Sequence, residues 1–181
     1  MLFITWPGML LALIPLVAIE AWIIKPRLKL ATGEALRFTG IANVASTIVG
    51  IPLAWLALVG LELVSTRGGT AFGLDTPWRK LLAVTAQAPW LIPYESELYW
   101  MVPAATLALL PAYFLVSWGI EYAIVRKLLQ KPESSIFEVK PPDPPAGQVR
   151  IAVLLANVGS YAILALVTLV WLGIAVAKGP Q

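Results

Sequence analysis

Two glutamates and two Asn-Val-small-Ser segments carry the side chains whose types and spacing could support chemistry in an otherwise apolar chain. Glu20 and Glu121 each stand near the end of a long apolar run and are each followed, five residues later, by a cation. The next apolar run opens in both cases with an Asn-Val-small-Ser segment, at 43–46 and at 157–160. The same polar order therefore occurs twice along the chain, which is a sign of an internal repeat. The candidate residues are Glu20, Asn43, Ser46, Glu121, Asn157 and Ser160.

Two kinds of role are open to these residues. Ionisable side chains inside a membrane are candidates for moving protons or cations, and polar side chains in lipid also bond to one another between helices. Each glutamate is expected at the same depth as the asparagine of its own set, which predicts Glu20 beside Asn43 and Glu121 beside Asn157, with the serines one turn away. We favour structural hydrogen bonding, because each glutamate lies near a membrane end and has a neutral partner. A proton or cation pathway through the two glutamates is the alternative.

Several classes of chemistry lack their usual residues. The sequence contains neither cysteine nor histidine, which excludes disulfides, thiolate metal sites and nucleophile–histidine pairs. No glycine-rich phosphate loop follows a strand. We therefore expect no enzymatic activity, no metal and no cofactor, although bound lipid or pigment is compatible with the sequence. The weakest hypothesis is a lipid-acting enzyme built on Asp75, Arg79, Glu95 and Glu97.

The elements that must position these residues are long apolar segments. Hydrophobic residues make up 59% of the chain and charged residues 13%, and the mean hydropathy is +0.82. About 20 apolar residues are needed to cross a bilayer as a helix, and lipid admits helices because their backbone groups are internally bonded. We predict an all-α membrane protein with a single transmembrane domain over 1–181. Its four predicted helices cover about 7–24, 39–63, 99–125 and 149–177.

Charge and aromatic residues predict the orientation. The connections 25–38 and 126–148 are basic, so the positive-inside rule predicts that they are cytoplasmic and that both termini and the 64–98 loop lie outside. The expected location is the inner (cytoplasmic) membrane of a bacterium. Tryptophans favour the membrane–water boundary. The predicted interfacial anchors are Trp6, Trp78, Trp90, Trp100 and Trp171.

Two of the connections contain recognisable local patterns. Thr76-Pro77 resembles an N-cap followed by proline at the first helical position, which predicts a short helix in the outer loop. That helix would lie either flat in the interface or against the protein's own surface. The proline-rich segment 140–145 predicts extended backbone, which we interpret as a stiff spacer in preference to a docking strip for a cytoplasmic partner.

The doubled polar order predicts two similar helical hairpins with the same orientation, as a parallel repeat. Small residues spaced four apart let helices approach closely. The predicted helix-packing residues are Ala42, Gly50, Ala54, Ala152 and Ala156.

These features favour a non-catalytic membrane subunit that scaffolds, stabilises or assembles a larger complex, of which an energy-transducing or photosynthetic complex is one fitting type. Its expected partners are membrane lipids and other membrane subunits, and the basic segments lack the density of a nucleic-acid site. The alternative is a small proton, cation or solute carrier that uses Glu20 and Glu121.

Overall fold

The computed structural model describes residues 2–66, 75–86, 97–130 and 143–179. Within these ranges every regular element is a helix. The helices are α1 (Leu2–Leu28), α2 (Thr32–Thr66), α3 (Pro77–Ala86), α4 (Leu98–Leu129) and α5 (Ala146–Lys178).

Three of these helices are long and apolar enough to cross a membrane. They are the stretches Thr32–Val64, Leu98–Leu129 and Ala146–Lys178, as far as the described residues extend. The predicted all-helical fold is therefore confirmed for the described residues, and the three candidate spans are consistent with the predicted membrane class. A fourth span through α1 and the pairing of the helices as repeated hairpins remain predictions.

The long helices extend beyond the apolar runs from which they were predicted. The connection between α1 and α2 is reduced to residues 29–31, so most of the segment 25–38 is helical and not loop. Two local bonds explain this. Lys29 adopts a left-handed φ of 54° and the Leu30 N–H donates to the Lys25 carbonyl at 3.1 Å, which closes α1. The Ala31 N–H donates to Glu34 Oε2 at 2.9 Å, which satisfies a donor at the start of α2.

The chain divides into two compact units. The first unit comprises Met1–Leu11, Val49–Tyr113 and Tyr161–Gln181, and the second comprises Ala12–Ile48 and Phe114–Ser160. The second unit has a buried apolar core to which α1, α2, α4 and α5 all contribute residues. That core consists of Ile24, Leu28, Ala42, Val125, Val149, Ala152, Val153 and Ala156.

The first unit has a smaller described core, in which Val84 of α3 packs with Met101 and Ala105 of α4. The predicted N-cap of α3 is confirmed, since Thr76 Oγ1 accepts a hydrogen bond from the Arg79 N–H at 3.3 Å. Through Val84, α3 packs on the protein's own surface. Trp78 of the same helix is 65% exposed.

The predicted packing and boundary residues have different surroundings. Ala42, Ala152 and Ala156 are buried in the second unit, whereas a Cβ atom added at Gly50 would meet nothing within 4 Å, so Gly50 marks no close approach. Ala54 is half-buried. Among the predicted anchors, Trp171 is 46% exposed and Trp100 packs against the Met101 core. Trp90 and the side chain of Trp6 lie outside the described residues.

Candidate functional site

The candidate site is a buried cluster of carboxyl, amide and hydroxyl groups, all within the second unit. Every member is between 0% and 5% exposed. We call it the polar cluster, and its residues are Glu20, Asn43, Ser46, Glu121, Asn157 and Ser160.

Each glutamate accepts a hydrogen bond from the asparagine with which the sequence paired it. Asn43 Nδ2 donates to Glu20 Oε2 at 2.5 Å, and Asn157 Nδ2 donates to Glu121 Oε2 at 2.7 Å. These bonds join α1 to α2 and α4 to α5. The structure therefore brings together both predicted partners in the interior, where an unpaired polar group costs free energy.

Each serine bonds to the glutamate of the other set. Ser160 Oγ donates to Glu20 Oε1 at 2.7 Å, and Ser46 Oγ donates to Glu121 Oε1 at 3.0 Å. Each serine thus contacts the glutamate that belongs to the other set, and the bonds join α1 to α5 and α2 to α4. All four carboxyl oxygens of the two glutamates consequently have a donor.

The two sets also match in their bonds to the backbone. Asn43 Nδ2 donates to the Thr39 carbonyl at 3.0 Å, and Asn157 Nδ2 donates to the Val153 carbonyl at 3.1 Å. Each serine hydroxyl lies near the carbonyl of the asparagine three residues before it, at 3.0 Å for Ser46 and 3.1 Å for Ser160. The same side-chain types therefore use the same atoms at the same chain spacing in both sets.

The cluster contains two carboxyl groups and no partner of positive charge. Neither Glu20 nor Glu121 forms an ion pair with a cation in the ranges that the structure describes. Asn157 Oδ1 is buried and has no hydrogen-bond partner, and the same is true of the nearby indole Nε1 of Trp118, one turn before Glu121. The carboxyls must therefore be balanced by donors, protons or a bound cation, since an isolated buried charge is costly.

A contact that the sequence did not indicate lies beside the cluster. A Cβ atom added at Gly159 would fall 2.8 Å from Ile23 Cδ1 and 3.9 Å from Ile19 Cγ2. The absence of a side chain at Gly159 therefore allows α1 to pack closely against α5, next to the Ser160–Glu20 bond. The small residue in the Asn-Val-small-Ser segment was the available signal for this contact.

Two of the carboxylates proposed for a lipid-acting enzyme, Asp75 and Glu97, form ion pairs. Arg79 Nη1 lies 2.5 Å from Asp75 Oδ2, and Lys80 Nζ lies 2.5 Å from Glu97 Oε1. The hydrogen bond from Lys80 holds the pKa of the exposed Glu97 carboxyl below its usual value. Glu95 lies outside the described residues. Lys80, which the sequence analysis left out of this group, is therefore the partner of Glu97.

No group of three or more histidine, cysteine, aspartate or glutamate side chains is close enough to hold a metal ion within the described ranges. The polar cluster accounts for six of the eight buried polar or charged residues in the part of the chain that the structure describes, the other two being Thr39 and Thr168.

The fold and the site define a class: an all-helical chain with helices able to cross a membrane and a buried carboxyl–amide–hydroxyl cluster among them. Comparison with protein families, with characterised proteins and with solved structures finds no match to this chain. What the chain does is therefore inferred from its own geometry.

Proposed function

We propose that the chain is a non-catalytic integral membrane subunit that scaffolds or stabilises a larger membrane complex. The observation that carries this proposal is that the polar groups able to do chemistry bond to one another in the interior. All four carboxyl oxygens of Glu20 and Glu121 accept hydrogen bonds from residues of the same cluster. A group that is enclosed and bonded in this way holds helices together and is poorly placed to meet a substrate.

In this proposal the chain crosses the membrane four times, with α1 as the fourth span, as two similar helical hairpins in parallel orientation. The matched hydrogen bonds of Asn43 and Asn157 support the repeat. The basic residues at the ends of α1 and α4, Lys25, Arg27, Arg126 and Lys127, support a cytoplasmic location for those ends. Both termini and α3 then lie outside, in the inner membrane of a bacterium.

The outer surface of the helices supports a membrane or subunit environment. Large apolar side chains on α2 and α5, such as Leu63, Val64, Leu166 and Val167, are between 61% and 78% exposed. Water would oppose that exposure, whereas lipid tails or neighbouring membrane helices would not. An energy-transducing or photosynthetic complex is one class that uses small subunits of this kind.

Native sizing after mild detergent extraction from the source membrane tests the proposal. We expect the chain to migrate with other subunits in a constant ratio, well above the mass of its own monomer in detergent. A chain that migrates alone, as monomer or homodimer, in several mild detergents would contradict the proposal.

A second function is favoured by one observation, which is that the two buried carboxyls lack a cationic partner among the described residues. Such a pair could carry a proton or a small cation, as in a carrier. This function predicts proton or cation flux in liposomes that contain the purified chain. The flux should disappear in the Glu20→Gln, Glu121→Gln double variant, whose glutamines retain hydrogen-bonding capacity and lose the charge.

A further inference from the structure

An open groove lies at the C-terminal end of α1, and all of its lining residues belong to the second unit. Its volume is about 800 Å³. Three cations and several apolar side chains line it. The lining residues that matter here are Trp22, Ile23, Lys25, Arg27, Lys29 and Leu155.

The three cations of the groove lie within five residues of one another. None of Lys25, Arg27 and Lys29 forms an ion pair with a carboxylate in the part of the chain that the structure describes. Arg27 Nη1 donates to the Ile23 carbonyl at 2.8 Å, which holds the guanidinium beside the groove. Three uncompensated cations in one groove attract an anion.

Lys29, the third cation of the groove, has an unfavourable backbone conformation. Lys29 has a φ of 54°, a conformation that glycine adopts freely and that costs other residues about 1 kcal/mol or more. A glycine would close the helix equally well. The turn itself therefore does not require a lysine at this position, where the side chain lines the groove.

The apolar residues of the groove indicate which kind of anion it binds. Trp22, which is 77% exposed, lies before the cations on α1. Leu155, which is 38% exposed, lies on α5 beyond Gln148, whose Nε2 donates to the Arg27 carbonyl at 2.6 Å. Along α1 the distance from Trp22 to Lys29 is about 10 Å at 1.5 Å per residue. A groove that changes from apolar to cationic over this distance matches a phospholipid, whose phosphate adjoins its acyl chains.

We propose that this groove binds an anionic phospholipid, with its phosphate at Lys25, Arg27 and Lys29 and an acyl chain along Trp22 and Leu155. The proposal rests on the chain being inserted in a membrane, as proposed above. Cations near a membrane surface favour anionic headgroups. The bound phospholipid would therefore be a specific ligand at the end of α1, distinct from the bulk lipid of the bilayer.

The test is native mass spectrometry of the full chain purified in mild detergent, with phosphatidylglycerol or phosphatidylcholine added at equal concentration. We expect the wild type to retain phosphatidylglycerol at least about tenfold more than phosphatidylcholine. The Lys25→Gln, Arg27→Gln, Lys29→Gln triple variant should lose this preference. Arg37→Gln, Lys127→Gln, Arg150→Gln is the matched control, because it removes the same charge from exposed residues that do not line the groove, and it should retain the preference.

Two further arms separate the remaining explanations. Inorganic phosphate in excess should fail to displace the lipid, whereas displacement would assign the site to free phosphate and overturn the lipid proposal. Lys29→Gly should raise the melting temperature, because it relieves the left-handed conformation, and should still weaken phosphatidylglycerol retention. Equal retention by wild type, triple variant and control would also overturn the proposal. Membrane fractionation of the same samples tests insertion separately, so that a failure of the proposed function is recognised as such.

Discussion

Both units have apolar cores, and their described interiors differ in the buried polar side chains that they contain. The second unit encloses two carboxyls, two amides and two hydroxyls, each bonded to a specific partner. The described core of the first unit packs Val84, Met101 and Ala105 together. The buried Thr168 of this unit donates only to the Leu164 carbonyl of its own helix, at 2.7 Å. Apolar packing tolerates alternative arrangements of similar volume, whereas a hydrogen-bonded network has one satisfied arrangement. We infer that the polar cluster contributes to the choice of neighbouring helices in the second unit, because its four bonds join α1 to α2 and α5 and join α4 to α2 and α5.

The largest expected effect comes from breaking one bond of the cluster. Asn157→Leu removes the donor to Glu121 Oε2 and leaves a buried carboxyl oxygen without that partner. We expect the free energy of unfolding to fall by about 2–3 kcal/mol, since an unsatisfied buried group loses its solvation without compensation. Reversible unfolding in mixed micelles measures the change.

The matched control for this variant is the double replacement Glu121→Leu, Asn157→Leu. Replacing both partners by apolar groups is often nearly neutral or stabilising, although Ser46 also loses its acceptor here. The double variant should therefore be more stable than Asn157→Leu alone. If the double variant loses as much stability as the single variants Glu121→Leu and Asn157→Leu lose together, this pair does not hold the cluster.

The apolar core of the first unit should respond in a graded way. Met101 is fully buried, so Met101→Ala removes packing contacts and is expected to lower the free energy of unfolding by about 2 kcal/mol. Met101→Leu keeps most of the volume and should cost less than about 1.5 kcal/mol. Equal losses for both variants would contradict a core held by packing. The same micelle unfolding assay applies.

Two glycines of α5 sharpen the comparison, one in each unit. A Cβ atom at Gly173 meets nothing within 4 Å, so Gly173→Ala should stabilise the helix by up to about 1 kcal/mol. At Gly159 the new methyl would fall 2.8 Å from Ile23 Cδ1, and we expect little or no gain. Ile23→Val removes that atom, and in its background Gly159→Ala should recover the gain. An equal gain at both glycines in the wild-type background would show that the Ile23 side chain moves aside at no cost, and would contradict this expectation.

The smallest effect concerns the exposed ion pair of the first unit. The hydrogen bond from Lys80 lowers the pKa of Glu97. A carboxyl whose pKa is lowered on folding stabilises the folded state above its unfolded pKa, about 4.3 for glutamate, and this contribution is lost as the pH falls through the folded value. Carboxyl carbon chemical shifts should therefore give Glu97 a lower pKa in the wild type than in Lys80→Gln. An unchanged pKa would show that the pair does not persist in solution.

The sequence predicted the helical class and both glutamate–asparagine pairs for a physical reason. Apolar runs determine the depth of each residue in a membrane, and residues of similar depth in consecutive helices can meet. The bonds of Ser46 to Glu121 and of Ser160 to Glu20 could not be predicted in this way. They depend on which helices of the second unit face one another, and depth contains no information about that.

Local sequence was less informative about helix ends and close contacts. The apolar run of α1 ends near residue 24, but the helix continues through Pro26 to Leu28. Proline costs a helix one backbone hydrogen bond, whereas the flanking Lys25, Arg27 and Leu28 are good helix formers and two of them need not be in lipid. The role of Gly159 depends on Ile23, which lies far away in the sequence. The pairing of Lys80 with Glu97 likewise depends on the packing of α3 against α4.

The most direct test of a structural polar cluster is the coupling energy between Glu20 and Ser160, whose bond joins α1 to α5. A double-mutant cycle with Glu20→Leu, which removes the acceptor, and Ser160→Ala, which removes the donor, measures it by reversible unfolding in micelles. We predict a favourable coupling of about 0.6–1.7 kcal/mol, the range found for hydrogen bonds between membrane helices. Strictly additive losses, with no coupling, would contradict the view that these side chains hold the helices together.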